Sequence, residues 1–279
     1  MIRSARLVTI IAFVVLAAWL WSGFRPQPFR LTFFNVGQGD SALIQTPAKQ
    51  AILIDGGPDR GILVKLGQAL PWGKRTLDLV ILSHPHADHV AGLTYVLERY
   101  HVRQVVMTGV LYSTPEYLRF LELVRDKHIP VHLAKGRETL KLAGGVSVDI
   151  LWPQGPLANT EVSDVNATSV VCRVNYGDTS VLFTGDTPAE NEASLLATGA
   201  NLEADILKVA HQGSSTSSTP DFITAVAPEL AVVSVGKNTY GHPASEIMER
   251  LRKLVLNVVR TDEAGDITLE SDGRSWQRH

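Results

Sequence analysis

One α/β domain is predicted for residues 31–279, on three observations. Short apolar runs rich in β-branched and aromatic residues alternate with stretches of helical apolar spacing. Several of the helical stretches carry their own start signals. Histidine and aspartate recur where apolar runs end, and a buried strand by itself gives no reason for them there.

Taken in order, the chain begins with "MIRSARLVTIIAFVVLAAWLWSGF". Arg3 and Arg6 precede an uncharged, largely apolar run from Leu7 to Phe24. A helix needs roughly 17–20 such residues to cross a bilayer. Trp19 and Trp21 stand at the far end, where an interfacial aromatic belt is expected. No small-x-small cleavage site follows, so the expectation for residues 1–24 is a retained membrane anchor helix rather than a cleaved signal. Arg3 and Arg6 favour a cytoplasmic N-terminus, against Arg25 and Arg30 on the other side, and place the following domain outside the membrane.

"RPQPFR" (25–30) reads as a proline-bearing linker. "LTFFNV", "ALIQT" and "AILID" read as an antiparallel strand group, and "LDLVILS" as a buried strand. "VAGLTYVLERY" and "PEYLRFLELVRDK" have helical spacing, the first from about Val90. "VSVDILWP", "SVVCRVNY" and "TSVLFTG" return to strand, the last two joined by a Gly177-Asp178 hairpin turn. "EADILKVAH", "ELAVVSVG", "NVVRT" and "DITLE" complete the strands. Thr187 to Glu190 reads as a capping box with proline at the first helical position. Thr114-Pro115 and Thr219-Pro220 read as cap-plus-proline pairs, and His242-Pro243 as a weaker one.

Composition narrows the function classes. A net charge of −2 gives no global electrostatic case for nucleic acid, so a phosphate substrate would have to be held locally, for example by metal ions. Cys172 is the only cysteine, which excludes an intrachain disulfide.

The chemistry is concentrated in "LVILSHPHADHVAG". Residues two apart in an extended segment project to one side, so His84 and His86 can present imidazoles to one point. Asp88 and His89 follow at a helix start, which favours the ionised carboxylate that binds metal. One loop thus offers two ligand pairs, and further ligands must come from other strand ends. Asp186 in "VLFTGD", His211 in "ILKVAHQGS" and Asp55 in "AILIDGG" are the candidates. Each alone is an ordinary turn residue; their recurrence at strand ends argues for a site.

"SHPHADHVAG" resembles the H-x-H-x-D-H signature of the metallo-β-lactamase fold superfamily. "FFNVGQGDSALIQ", "AILIDGG", "VNATSVVCRV", "VLFTGD", "ILKVAHQGS", "LAVVSVGKNTYGHP" and "RTDEAGDITL" are similar, in order, to the corresponding domain of ComEC-type competence proteins. The resemblance covers about residues 30–270. It implies a four-layered αββα sandwich with a two-cation site at one edge. By matching position, His84, His86 and Asp186 would hold one cation, and Asp88, His89, Asp186 and His211 the other. Asp55 and Asp40 would orient a ligand imidazole or the loop.

Two departures stand out. Many relatives carry a further histidine where this chain has Asn166, a change that favours Mn2+ over Zn2+ or Mg2+. The resembled family often has two histidines before "GS", where this chain has His211-Gln212, and His211 is taken as the ligand. His101, His128 and His132 lie in or beside helical segments and read as surface residues. His242 in "NTYGHP" is a candidate general acid or phosphate contact. Ser214, in "GSSTSST", is either a phosphate contact or part of a polar loop ending in the Thr219 cap.

The resemblance therefore implies a metal-dependent phosphodiesterase acting on DNA, with Asp88 and His242 in catalytic roles. Two divalent ions would clamp both oxygens of an in-line displacement. A membrane channel or other competence proteins would be partners. The alternatives are a hydrolase of small esters, lactones or phosphoesters, or a weakly metallated scaffold docking on a channel.

Overall fold

The computed structural model describes residues 27–278. The expected anchor helix and the first two linker residues, 25 and 26, lie outside the described residues. Among the described residues no helix is long and apolar enough to cross a membrane.

The described strands are β1 (Phe29–Phe33), β2 (Ala42–Gln45), β3 (Ala51–Ile54), β4 (Thr76–Leu77), β5 (Leu79–Ile81), β6 (His101–Val102), β7 (Val105–Met107), β8 (Val131–Leu133), β9 (Glu138–Lys141), β10 (Val146–Trp152), β11 (Val171–Tyr176), β12 (Thr179–Phe183), β13 (Ile206–Lys208), β14 (Leu230–Val233), β15 (Asn257–Arg260), β16 (Ile267–Ser271) and β17 (Trp276–Arg278). The helices are α1 (Ile62–Ala69), α2 (Ala87–Arg99), α3 (Pro115–Asp126), α4 (Ala189–Ala197), α5 (Pro220–Val226), α6 (Ser245–Leu254) and α7 (Thr261–Ala264).

Two large sheets form. One has the order β17-β16-β1-β2-β3-β5-β7-β8, the other β15-β14-β13-β12-β11-β10-β9. Their layering follows from the two-residue period of the strands. In β3, Ile52 and Ile54 enter the core between the sheets, while Ala51 and Leu53 face the core under α1, α2 and α3. In β12, Val181 and Phe183 enter the same central core, and Leu182 packs under α4, α5 and α6. Both faces of both sheets are covered, so the order of layers is αββα. Fully burying a side chain such as Phe33 contributes roughly 2–3 kcal/mol.

The helices supply the matching stripes. Val90, Leu93, Val96 and Leu97 of α2 sit in the first outer core, and Ile247, Met248 and Leu251 of α6 in the second. The antiparallel group β1-β2-β3 forms as expected, and so does the hairpin, with Tyr176 opposite Thr179 and Gly177 at φ +58°.

Several expectations need correction. β1 begins at Phe29, two residues before Leu31, because Phe29 already pairs with Ser271 and fills the central core. α2 begins at Ala87, so Asp88 and His89 lie inside its first turn rather than before it. Thr187 makes no capping box; its hydroxyl donates to the Thr184 carbonyl, and Pro188 holds the cap position of α4. Thr114 precedes α3 without a side-chain cap bond, whereas Thr219 Oγ1 accepts from Phe222 N at 3.4 Å. α6 starts at Ser245 behind Ala244, so His242-Pro243 is not its cap pair. His132 lies in β8 and bonds Glu138 Oε2 at 2.9 Å.

Candidate metal centre

The parallel pairs β3/β5 and β12/β13 bring the residues after their C-terminal ends to one edge of the two sheets. Asp55 follows β3, the loop 82–86 follows β5, Asp186 follows β12, and Lys208 ends β13. Ligand sites at the carboxyl ends of parallel strands are the general rule for open α/β sheets.

A close backbone approach fixes the first two segments against each other. Gly56 N donates to His89 O at 2.8 Å, and Gly92 N donates to Gly57 O at 2.9 Å. A Cβ on Gly92 would stand 1.9 Å from Gly56 O, so only glycine lets the loop lie on α2. That contact sets Asp55 on His89. Asp55 Oδ1 accepts Ser83 N at 2.7 Å, and Oδ2 accepts both Ser83 Oγ at 2.7 Å and His89 Nδ1 at 2.8 Å.

The two oxygens of Asp186 divide the site into two corners. Asp186 Oδ2 lies 3.8 Å from His84 Nε2 and 3.7 Å from His211 Nε2. Asp186 Oδ1 lies 3.3 Å from His89 Nε2, which in turn lies 3.7 Å from Asp88 Oδ2. The two Asp186 oxygens thus face different imidazoles, Oδ2 facing His84 and His211 and Oδ1 facing His89.

In the first corner His84 Nε2 and His86 Nδ1 are 3.0 Å apart. Ser83 Oγ gives its proton to Asp55, so at 3.1 Å it accepts from His84 Nδ1, leaving a lone pair on His84 Nε2. Two imidazole nitrogens facing each other need a proton or a cation between them. One ligand atom from each of His84, His86 and Asp186 lies within 4.8 Å of the others. This donor set of two imidazoles and a carboxylate fits a divalent cation.

The second corner differs from the arrangement the resemblance implies. His211 sits on the Oδ2 side of Asp186, and the side chain facing Asp88 and His89 is Gln212. Its Nε2 lies 3.2 Å from each Asp186 oxygen, 3.2 Å from His89 Nε2 and 3.4 Å from Asp88 Oδ2. His211 (φ +50°, ψ +44°) and Gln212 (φ +49°, ψ +27°) both adopt left-handed backbone conformations. Such conformations cost non-glycine residues roughly 1–2 kcal/mol each, and the packed surroundings must hold them.

Asp40, His89 and Asp186 form a second close group. Asp40 there is already paired with the buried Lys208 ammonium, which also donates to Gly185 O at 3.2 Å. Asp40 and Asp55 thus serve as supporting groups: Asp55 holds the His89 ring, and Asp40 neutralises a lysine beneath it.

Charge follows these contacts. Burial pushes His84 well below the usual imidazole range, with the neighbouring His89 acting the same way, so it is neutral at pH 7. Burial also lowers His86. For His89 burial acts downward, but Asp186, Asp88 and Asp55 outweigh it and hold the ring well above the ordinary value. For Asp186 burial acts upward, and His89, His84 and Lys208 overcome it, keeping the carboxyl ionised. Burial pushes Asp40 up to about 7 despite Lys208.

Above the two corners is a cleft lined by His86, Asp88, Asp186, His211, His242 and the rings of Tyr112 and Tyr240, among others. His242 stands at its rim, 5.3 Å from the His211 ring between centroids, with Nδ1 buried and unpartnered among the described residues. Burial lowers its pKa, and His211 adds to that. Ser214 is buried, and its hydroxyl is engaged with Thr216 in the loop itself. Asn166 opens the short turn Asn166–Thr168. Ser169, just after that turn, accepts the Asp186 N–H on its Oγ at 3.0 Å. Asn166 Oδ1 is buried with no hydrogen-bond partner among the described residues, an unused acceptor. Gln38 and Lys208 were not singled out from sequence, and Gln212 only as the residue standing where relatives often have a second histidine. The motif "GQGD" and the lysine inside an apolar strand were the available signals.

Comparison with known proteins agrees with this architecture. ComE operon protein 3 of Bacillus subtilis (strain 168) is 28% identical over 251 residues, 84% of this chain and 32% of that protein. Competence protein ComA of Neisseria gonorrhoeae is 34% identical over 241 residues, 84% of this chain and 31% of its own length. The chain therefore spans about a third of the length of these relatives. Among solved structures, Igni18, a metallo hydrolase from the archaeon Ignicoccus hospitalis KIN4/I, superposes with a TM-score of 0.57 at 14% identity. The superposition covers 87% of this chain and 100% of that one. The sequence profile of the metallo-beta-lactamase superfamily matches residues 34–237, and the chain belongs to that superfamily, with a ComEC-type resemblance.

Proposed function

We propose that this chain is a metal-dependent phosphodiesterase that cleaves DNA in a ComEC-like DNA-uptake setting. The observation that carries the reading is the division of Asp186, whose two oxygens face two ligand corners at the floor of one open cleft. His84, His86 and Asp186, with His211 beside them, would hold one divalent cation. Asp88, His89 and Asp186 form the more oxygen-rich corner, which suits Mn2+ or Mg2+ better than Zn2+. A cation bound here supplies Lewis-acid polarisation of a phosphoryl oxygen and lowers the pKa of water.

The chain's own residues do the rest. Asp55 fixes the His89 ring, and Ser83 fixes the proton of His84 on Nδ1. Asp88, in the first turn of α2 and lining the cleft, would accept a proton from an attacking water. His242, at the rim, would contact the phosphate or, when protonated, donate a proton to a leaving oxygen, a role that its lowered pKa favours at lower pH. Among the described residues no lysine or arginine lines the cleft, so phosphate would be held by the metal centre. Tyr112 and Tyr240 offer ring faces on which bases can stack. An open cleft with such a rim suits an extended strand better than a small lactam or lactone.

The apolar run at residues 7–24 would anchor the chain, with the domain on the extracytoplasmic side and a membrane channel or other competence proteins as partners. The test is cleavage of single- and double-stranded DNA by the purified chain and by His86→Ala, with Mn2+, Mg2+, Zn2+ or chelator. Metal-dependent cleavage lost in His86→Ala supports the reading. A folded, metallated chain that cuts neither substrate, but hydrolyses a small ester or lactone, overturns it.

A further inference from the structure

Gln212 stands where the second corner would need a metal ligand, and the surrounding hydrogen bonds determine which end of its amide faces inward. Gly236 N donates to Gln38 Oε1 at 3.2 Å. A backbone N–H can only donate, so Gln38 must present its NH2 on the other side. Gln38 Nε2 then donates to Gln212 Oε1 at 3.1 Å. Gln212 Oε1 is thereby turned away from the metal centre, and its NH2 points at Asp186 and Asp88. An amide NH2 has no lone pair for a cation and carries partial positive charge.

The backbone agrees with this placement. His211 and Gln212 turn through two consecutive left-handed conformations into Gly213, whose missing Cβ would meet Pro243 Cβ at 2.6 Å. The turn sends His211 towards Asp186 Oδ2 on the cleft side and buries Gln212 between the carboxylates. Gln212 is an uncharged group whose NH2 meets the buried Asp186 and the partly exposed Asp88 without adding a charge. Asp40, by contrast, is met by the charged Lys208.

We propose that this chain holds one divalent cation tightly, at His84, His86 and Asp186, and that the Gln38–Gln212 pair occupies the second corner. A second cation can then enter only when Gln212 turns its oxygen inward and gives up its bond to Gln38. The inference rests on the metal-centre reading above and departs from a symmetric two-cation site.

The experiment is metal counting on the purified full chain. Mn2+ and Zn2+ are titrated by equilibrium dialysis, and retained metal is measured after desalting. Wild type is expected to retain one equivalent, with the second bound at least about 100-fold more weakly. Gln212→His supplies a lone pair in the same place and is expected to retain two. Gln38→Ala releases the amide and is expected to tighten the second equivalent about tenfold or more while leaving the first unchanged. Two equivalents of similar affinity in wild type overturn the proposal and leave the phosphodiesterase reading standing. One equivalent in a folded Gln212→His also overturns it. A wild-type chain that retains no cation overturns the metal-centre reading itself. Circular dichroism of each variant separates these outcomes from misfolding.

Discussion

Asp55 Oδ2 accepts the Nδ1 proton of His89 at 2.8 Å, across a loop-to-helix contact that only glycines at 56 and 92 allow. The same carboxylate takes both the backbone and the hydroxyl protons of Ser83. One aspartate at the end of β3 therefore sets the orientation of His89 and, through Ser83, the proton on His84. Losses of such supporting partners typically cost 10–100-fold in metal affinity.

Asp55→Asn is expected to weaken metal binding by about that factor, with the ligands themselves intact. Dialysis against Mn2+ measures it. Unchanged affinity would show that the ring is held by packing alone.

Gly92→Ala should be strongly destabilising, because the new methyl would lie 1.9 Å from a carbonyl oxygen that cannot retreat without moving α2. Overpacking costs about 1–3 kcal/mol, and urea unfolding reads it. Gly67→Ala, in open space on α1, is the control and should be neutral or mildly stabilising.

Lys208→Met removes the partner of buried Asp40 and should cost about 3–5 kcal/mol. Lys208→Met with Asp40→Asn should recover much of that loss, because the pair is then removed together. A double variant as unstable as the single one would show that Lys208 acts chiefly through its bond to Gly185 O.

The metal-free chain should show a particular pH dependence. Carboxylates hold His89 well above its ordinary 6.5 in the fold. A pKa raised in the fold contributes stability that is complete below the unfolded value and is lost as pH rises through the folded one. Thermal unfolding of the chelator-treated chain is therefore expected to weaken above about pH 6.5. His89→Asn should flatten that limb, and an unchanged slope would remove His89 as its source.

His242→Ala should lower the turnover of DNA by about 10²–10⁴-fold if the imidazole supplies a proton. Metal content should not change. A pure KM effect would instead make His242 a phosphate contact.

The strand and helix pattern was largely legible because both large sheets are covered on both faces. β3 and β5 are continuous apolar runs, β2, β12 and β13 are mainly apolar, and α2, α3 and α6 carry clear stripes. Neither α1 nor the short strands β6 to β9 was singled out. α1 contributes only Ile62 and Leu66 as fully buried residues, and β8 and β9 are largely exposed. The cap expectations failed at Thr187 for a related reason: its hydroxyl found a carbonyl three residues back, a local choice that composition does not reveal.

At the site, sequence supplied the ligand types and the loop that carries most of them. His84, His86, Asp88 and His89 lie within six residues, and Asp186 and His211 mark the ends of apolar runs. Local spacing was enough to nominate them. It could not decide which corner each one serves, because that depends on which Asp186 oxygen it meets and on the two left-handed residues at 211 and 212. Nor could it give Gln38 and Gln212 their roles, since a neutral amide has no pattern of its own and its orientation here is set from the backbone N–H of Gly236, which donates to Gln38. The sequence by itself determined the fold class and the inventory of metal-binding groups. Only the tertiary structure decided how many corners those groups leave open, because hydrogen-bond direction is set by partners that meet in space.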